Sequence, residues 1–238
     1  MIQVVTFLWN DENYRFNGLF RYGADHVNRW ALAVRRNLTI EHEIVCITDG
    51  VGGLDPSIRV IPLWDDLRDM GGCYTRLRAF SPDMKDIIGP RFVWMDVDCV
   101  ITGNLDPLFS RTEDFVIWSN GYSGNPYCGS MVMMDAGARR CVWDDFGPDC
   151  PDLASRYVGT DQAWIAHRLG DGEATWTQKD GVLSRYDVGI LNGMTRKSFK
   201  LRPKPLRDNA KIVFFHGPVD PSLPEIQENL PWIKDHWR

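Results

Sequence analysis

The apolar run from Arg91 to Ile101 carries two carboxylates in its middle, Asp96 and Asp98. A carboxylate without a partner in a protein interior costs several kcal/mol. Two of them breaking one strand therefore point to a strand end that opens on solvent or on a cation. Residues at i and i+2 of an extended segment share a face, so both side chains are expected to reach one ion. Hard carboxylate oxygens suit Mg²⁺, Mn²⁺ or Ca²⁺, which commonly keep positions open for phosphate oxygens. His216 closes a second apolar run, Lys211 to Phe215, directly before Gly217-Pro218. That turn chemistry puts it at a sheet rim, and a neutral imidazole added to the carboxylates favours Mn²⁺. Among 32 acidic residues an Asp-x-Asp pair alone is weak. Its apolar setting, joined to His216, gives it weight.

The elements that must position these residues read as alternating strands and helices. Ile2 to Leu8 is a β-branched apolar strand, and a helical pattern follows from about His26 to Leu38. His42 to Thr48 is a second strand, stopped by Asp49-Gly50, and a third lies around Arg59 to Pro62. Gly129 to Met134 reads as a buried strand, Ala136 to Phe146 as a helix, and Asp161 to Leu169 as a helix with an acid in its first turn. The order predicts an α/β architecture with a mixed, mostly parallel sheet flanked by helices, in a single domain of residues 1–217. Residues 218–238, rich in Pro and Trp, read as a wrapping tail with one short helix. In open α/β sheets ligands bind at the carboxyl ends of strands, where Asp96 falls.

Four motifs occur in order: Tyr74-Thr75-Arg76-Leu77, Phe92-Val93-Trp94-Met95-Asp96-Val97-Asp98, Gly159-Thr160-Asp161-Gln162 and Phe214-Phe215-His216-Gly217. The set resembles the GT-A (Rossmann-like) glycosyltransferases, in particular the family of glycogenin and the bacterial lipopolysaccharide galactosyltransferases. It also resembles a less characterised bacterial group from Val4 to about Gly217. The resemblance implies a metal-dependent glycosyltransferase that moves a sugar, with retention, from a nucleotide-diphosphate sugar to a glycan or lipid-linked acceptor. It implies Asp96, Asp98 and His216 as ligands of Mn²⁺ or Mg²⁺. It puts the donor, a UDP sugar by first choice, against Thr6, Phe7, Trp9, Arg76, Asp96 and Val97. Asp161 and Gln162 fall at the reaction centre; were the reaction inverting, Asp161 would be the candidate general base. The family's His-Gly-x-x-Lys-Pro appears here as His216-Gly217-Pro218-Val219-Asp220-Pro221, so an acid replaces the lysine, with Lys200, Arg202 or Lys204 available to compensate. Cys128 stands where the family has Asn, and Ala163 follows Asp161-Gln162 where it has a second Asp. These departures keep a silent nucleotide-sugar or glycan binder as an alternative.

A net charge of -5 argues against a nucleic-acid partner. Another alternative, a sugar nucleotidyltransferase, would carry a Gly-rich loop after the first strand, and residues 10–17 contain no glycine. Met1 to Trp9 lacks a basic leader and runs into Asn10, Asp11 and Glu12, so neither signal peptide nor integral membrane segment is expected. Six scattered cysteines without Cys-x-x-Cys spacing read as reduced structural thiols of a cytoplasmic protein. The Trp-rich tail leaves room for peripheral contact with the inner face of a membrane. Of the ten tryptophans, Trp9, Trp118 and Trp164 are candidates to stack on a base or sugar, although core packing is the preferred reading for each.

Overall fold

The computed structural model describes residues 1–9, 22–50, 52–64, 71–122, 124–191, 199–217 and 219–238. The glycine-free stretch 10–17 and Pro218 lie outside the described residues. The first half of the chain forms β1 (Ile2–Leu8), α1 (Ala24–Asn37), β2 (His42–Thr48), β3 (Arg59–Pro62), a 3-10 helix (Tyr74–Phe80), α2 (Met84–Ile87), β4 (Arg91–Met95) and β5 (Cys99–Ile101). Next come α3 (Asp106–Phe109), β6 (Phe115–Trp118), β7 (Cys128–Asp135), α4 (Cys141–Asp144), α5 (Cys150–Leu153) and α6 (Asp161–Leu169). The last part holds β8 (Thr175–Trp176), β9 (Val182–Ser184), β10 (Ile190–Leu191), β11 (Lys200–Leu201), β12 (Ile212–Phe214), α7 (Pro224–Asn229) and α8 (Trp232–His236).

The main sheet has the order β3-β2-β1-β4-β7-β6-β8. β3, β2, β1 and β4 run parallel, β7 is antiparallel to β4 and β6, and β8 is parallel to β6. All seven residues of β1 are buried, as a strand covered on both faces requires. The period of two sends neighbours to opposite cores: Val4 packs with Trp30 and Val34 of α1, and Val5 with Phe80 and Trp94. β4 divides likewise, Val93 and Met95 to the first core, Phe92 and Trp94 to the second. From β1 the chain passes to β2 on one side, and β4 flanks β1 on the other. The carboxyl ends of β1 and β4 therefore face a topological switch point, the place where such sheets open a crevice for ligand.

Three expectations change. Arg91 to Ile101 is two strands, not one: β4 stops at Met95, and β5 joins a separate sheet, β5-β12-β9. A central strand cannot carry two carboxylates through a core, and the chain turns where they occur. Ala136 to Phe146 is mostly turn, with only the short α4, because Gly137 adopts φ 79° and abuts Pro82. The tail holds two short helices, because Leu230 precedes Pro231 and leaves the helical region at ψ 74°. Val219, Leu223, Ile226, Leu230 and Ile233 join Val100, Leu183, Val213 and Phe215 in a third apolar cluster, so the tail packs on the small sheet. No described helix is long and apolar enough to cross a membrane.

Candidate active site

Asp96 leaves β4 with its backbone still in the ladder, its N–H donating to the Ser130 carbonyl at 2.9 Å. Two residues later the Asp98 carbonyl accepts the Phe215 N–H at 2.8 Å and starts the small sheet. Asp96 to Asp98 is thus the link between sheets. The shared-face geometry of an extended segment does not apply there, and the two side chains meet different partners.

Asp96 meets Arg76. The guanidinium is buried in the 3-10 helix that sends Tyr74, Leu77 and Phe80 into the core beneath Trp94. Its Nη1 donates to Asp96 Oδ1, and its Nη2 lies 2.7 Å from Asp161 Oδ2. One cation therefore joins the end of β4 to the first residue of α6, where the helix dipole also favours a carboxylate. Burial works against the Arg76 charge, but Asp161 and then Asp96 hold the guanidinium well above its ordinary value. Gly129 on β7 makes room for this triad: a Cβ there would lie 2.5 Å from Asp161 Oδ2 and 3.5 Å from Arg76 Nη2. The only hint in the sequence was a glycine inside an apolar strand, which signals close approach of a neighbour.

Asp98 has no such cation. Its side chain is 8 % exposed, Oδ2 accepts from the Tyr22 hydroxyl at 3.2 Å, and Oδ1 has no hydrogen-bond partner. Burial, then Asp96, then Asp220 push its carboxyl well above the usual range. Asp220 is itself buried. It lies 3.7 Å from His26 Nε2, and its Oδ2 also lacks a partner. Burial, followed by the charges of Asp98 and Asp220, raises the Tyr22 phenol. Tyr22, His26 and Asp220 drew no functional reading from sequence, because 72 or more residues separate Asp98 from each of them along the chain in one direction or the other.

His216 has its backbone beside Asp98 but its side chain elsewhere. Nε2 is 2.7 Å from Ser184 Oγ, and the ring centroid lies 5.2 Å from that of Tyr186. Burial and the neighbouring Arg185 push it down to about 4, so it is neutral at pH 7. The structure does not bring it into one ligand group with Asp96 and Asp98. Among the described residues no three His, Cys, Asp or Glu side chains form a ready cation cage.

At the end of β1, the Thr6 hydroxyl donates to the Met95 carbonyl at 2.9 Å and ties β1 to β4 from the buried side. Phe7 packs edge-on to Trp9, Trp64 and Trp94, and Val97 is buried. Of this group Trp9 remains half-buried. Gln162 donates its amide to the Val158 carbonyl at 2.9 Å and packs against Gly159, whose φ of 102° suits only glycine. Trp118 and Trp164 are core residues, 0 % and 1 % exposed, and present no face to a ligand. Lys200, Arg202 and Lys204 are exposed. All six cysteines are free, and burial holds Cys46 and Cys73 up at about 12.

No protein-family model and no curated protein matches the chain. Solved structures do. The galactosyltransferase LgtC in complex with donor and acceptor sugar analogs superposes with a TM-score of 0.60 at 12 % identity, over 100 % of this chain and 97 % of that one. The glycosyltransferase GlyE of Streptococcus pneumoniae TIGR4 gives 0.61 at 14 %, over 94 % of this chain and 57 % of its own. The bifunctional glycosyltransferase WbbM gives 0.57 at 12 %, over 98 % of this chain and 50 % of its own, so the chain spans about half of these two longer proteins. With its topological switch point between β1 and β4, the chain has the GT-A fold of these glycosyltransferases.

Proposed function

We propose that this protein is a divalent-cation-dependent glycosyltransferase that moves a sugar from a nucleotide-diphosphate sugar, UDP-type by first choice, to a glycan or lipid-linked acceptor with retention. One observation carries the reading. At the switch point of a GT-A sheet, Asp98 is buried with an oxygen that no described residue satisfies, beside an Asp96 already paired with Arg76. A buried acid with an open oxygen fits a cation that arrives with the substrate, because Mg²⁺ and Mn²⁺ bind through one or two carboxylates plus phosphate oxygens.

In this reading Asp98 would hold Mn²⁺ or Mg²⁺ with Asp96, which stays paired to Arg76, at its side, and His216, already neutral, would complete the set by turning away from Ser184. The ion's contribution is to stabilise negative charge growing on the leaving diphosphate. The chain's own part is to fix and dry the site. Arg76 holds Asp96 and Asp161 in one arrangement, Thr6 clips the end of β1 to β4, and half-buried Trp9 offers the nucleotide a ring. Asp161, held against Arg76, serves better as a fixed negative charge near the reacting sugar than as a mobile base, which agrees with retention. Gln162 follows it on α6 at the sugar face. Residues 1–217 act as the transferase domain and 218–238 as its wrapping tail, in the cytoplasm, where a lipid-linked acceptor would bring the protein against the inner membrane face.

The test is thermal stability against a panel of nucleoside diphosphates and nucleotide sugars, with and without Mn²⁺, since a ligand of the native state raises Tm by linkage. A rise requiring both Mn²⁺ and one nucleoside diphosphate supports the donor site and names its base. No rise with any of them in folded protein defeats the reading. Donor binding without release of nucleoside diphosphate would make the chain a silent binder.

A further inference from the structure

Asp220 is the most deeply buried carboxylate among the described residues, 1 % exposed. Its Oδ1 accepts the Ser222 N–H at 2.7 Å, an ordinary turn contact, while Oδ2 meets nothing. The nearest basic group, His26 Nε2, is 3.7 Å from Oδ1, beyond hydrogen-bond reach. His26 Nδ1 accepts the Gly23 N–H at 3.3 Å, so the ring turns Nε2 toward the acid. Asp98 has the same deficit: one oxygen held by Tyr22, the other open. No arginine or lysine pairs with either acid among the described residues. Yet the two feel each other's charge, and both act on Tyr22.

Two buried carboxylates with one open oxygen each, and no arginine or lysine paired with them among the described residues, are an unstable arrangement unless a cation is supplied. One divalent ion answers both deficits, leaving its other positions to phosphate oxygens and water. The small sheet explains how they meet. Asp98 leads into β5, Asp220 follows β12, and β5 and β12 pair in register with Phe214 opposite Cys99.

We infer that Asp220 is a further ligand of the cation: Asp220 through Oδ2 joins Asp98 through Oδ1, while Tyr22 and the Ser222 N–H hold the other oxygens in place. This rests on the proposed cation-dependent transfer and deepens it by assigning a ligand to the segment after β12. Tyr22 and His26 are positioning residues.

Mn²⁺ alone, followed by the electron paramagnetic resonance signal of the free ion, is titrated into wild type, Asp98→Asn and Asp220→Asn, and Tm is measured in EDTA and in Mn²⁺. Both variants are expected to weaken Mn²⁺ binding at least tenfold. Asp220→Asn should match or exceed wild-type Tm in EDTA, since one of two repelling buried charges is gone, yet lose the Mn²⁺-induced rise. Weaker Mn²⁺ binding in Asp98→Asn with wild-type affinity in Asp220→Asn overturns the Asp220 assignment and leaves the transferase reading standing. Wild type that binds no Mn²⁺, with UDP or without, overturns both. Should Asp220→Asn not fold, Asp220→Glu keeps the charge on a longer arm. A severalfold change in its preference between Mn²⁺ and Ca²⁺ supports coordination, and an unchanged preference refutes it.

Discussion

Asp96 and Asp98 flank a single valine and meet opposite surroundings. Asp96 lies against Arg76, which also holds Asp161, so two buried or half-buried carboxylates share one internal cation. Asp98 faces Tyr22 and the charge of Asp220, and has no cation of its own. The first cluster is complete as the chain folds; the second is incomplete until something positive enters. A site can therefore keep one acid fixed for geometry and another open for ligand within three residues, by turning the backbone between two sheets. The difference predicts opposite responses to removing a charge, because taking one partner from a paired cluster costs stability and relieving a repelling cluster does not.

The largest effect expected is Arg76→Met. It strands Asp96 and Asp161 without a counter-charge and should cost about 3–5 kcal/mol in urea unfolding. Arg76→Lys should recover only part of this, since an ammonium cannot reproduce the two-pronged contact. A loss below about 1 kcal/mol for Arg76→Met would mean that the cluster is hydrated and that the comparison fails. Gly129→Ala attacks the same triad by volume. With its Cβ 2.5 Å from Asp161 Oδ2, it should cost about 1–3 kcal/mol, and a neutral outcome would show that Asp161 can step aside.

The open cluster should behave the other way. In EDTA, Asp98→Asn is expected to equal or exceed wild-type stability, by up to about 1 kcal/mol. The pH dependence gives the sign. The folded Asp98 carboxyl lies above its ordinary 3.8, so over that window the native state binds more protons than the unfolded chain. Its contribution to stability therefore falls as pH rises above 3.8. Asp98→Asn should remove that falling limb from the pH profile of Tm; an unchanged profile would mean that Asp98 is ionised and satisfied. His216 carries the opposite sign. Its folded value of about 4 lies below the ordinary 6.5, so the unfolded chain binds more protons between these values and stability rises with pH across that window. In His216→Asn this rising limb should flatten by up to about 3 kcal/mol. A Tm profile that stays as steep would place the titration elsewhere.

The main sheet, β6 and β8 excepted, was legible in the sequence because its signal is local. β2 and β3 fall on the predicted residues, and β1 and α6 likewise, since each is a short apolar or periodic run closed by turn residues. Errors fell where a distant contact overrides local propensity. Gly137 presses on Pro82 and unwinds the expected helix at 136–146. The run 91–101 breaks because β5 finds β12, more than a hundred residues away. Among the candidate site residues, Asp96 and Asp98 stand out by residue type and setting, whereas Arg76 and Asp161 are singled out only by the family resemblance. That Arg76 would bind both Asp96 and Asp161, rather than face the donor alone, could be read from neither.

By itself, then, the sequence determined which residues could carry charge into an apolar setting, and that a two-faced α/β sheet would bring them to strand ends. Burial patterns and turn chemistry are local and need no third dimension. Only the tertiary structure decided which carboxylate receives the guanidinium and which keeps an empty oxygen. It placed Tyr22, His26 and Asp220 around Asp98, and turned the His216 imidazole toward Ser184. Electrostatic energy depends on distance and burial in space, and neither can be read from spacing along the chain once the backbone has changed sheets.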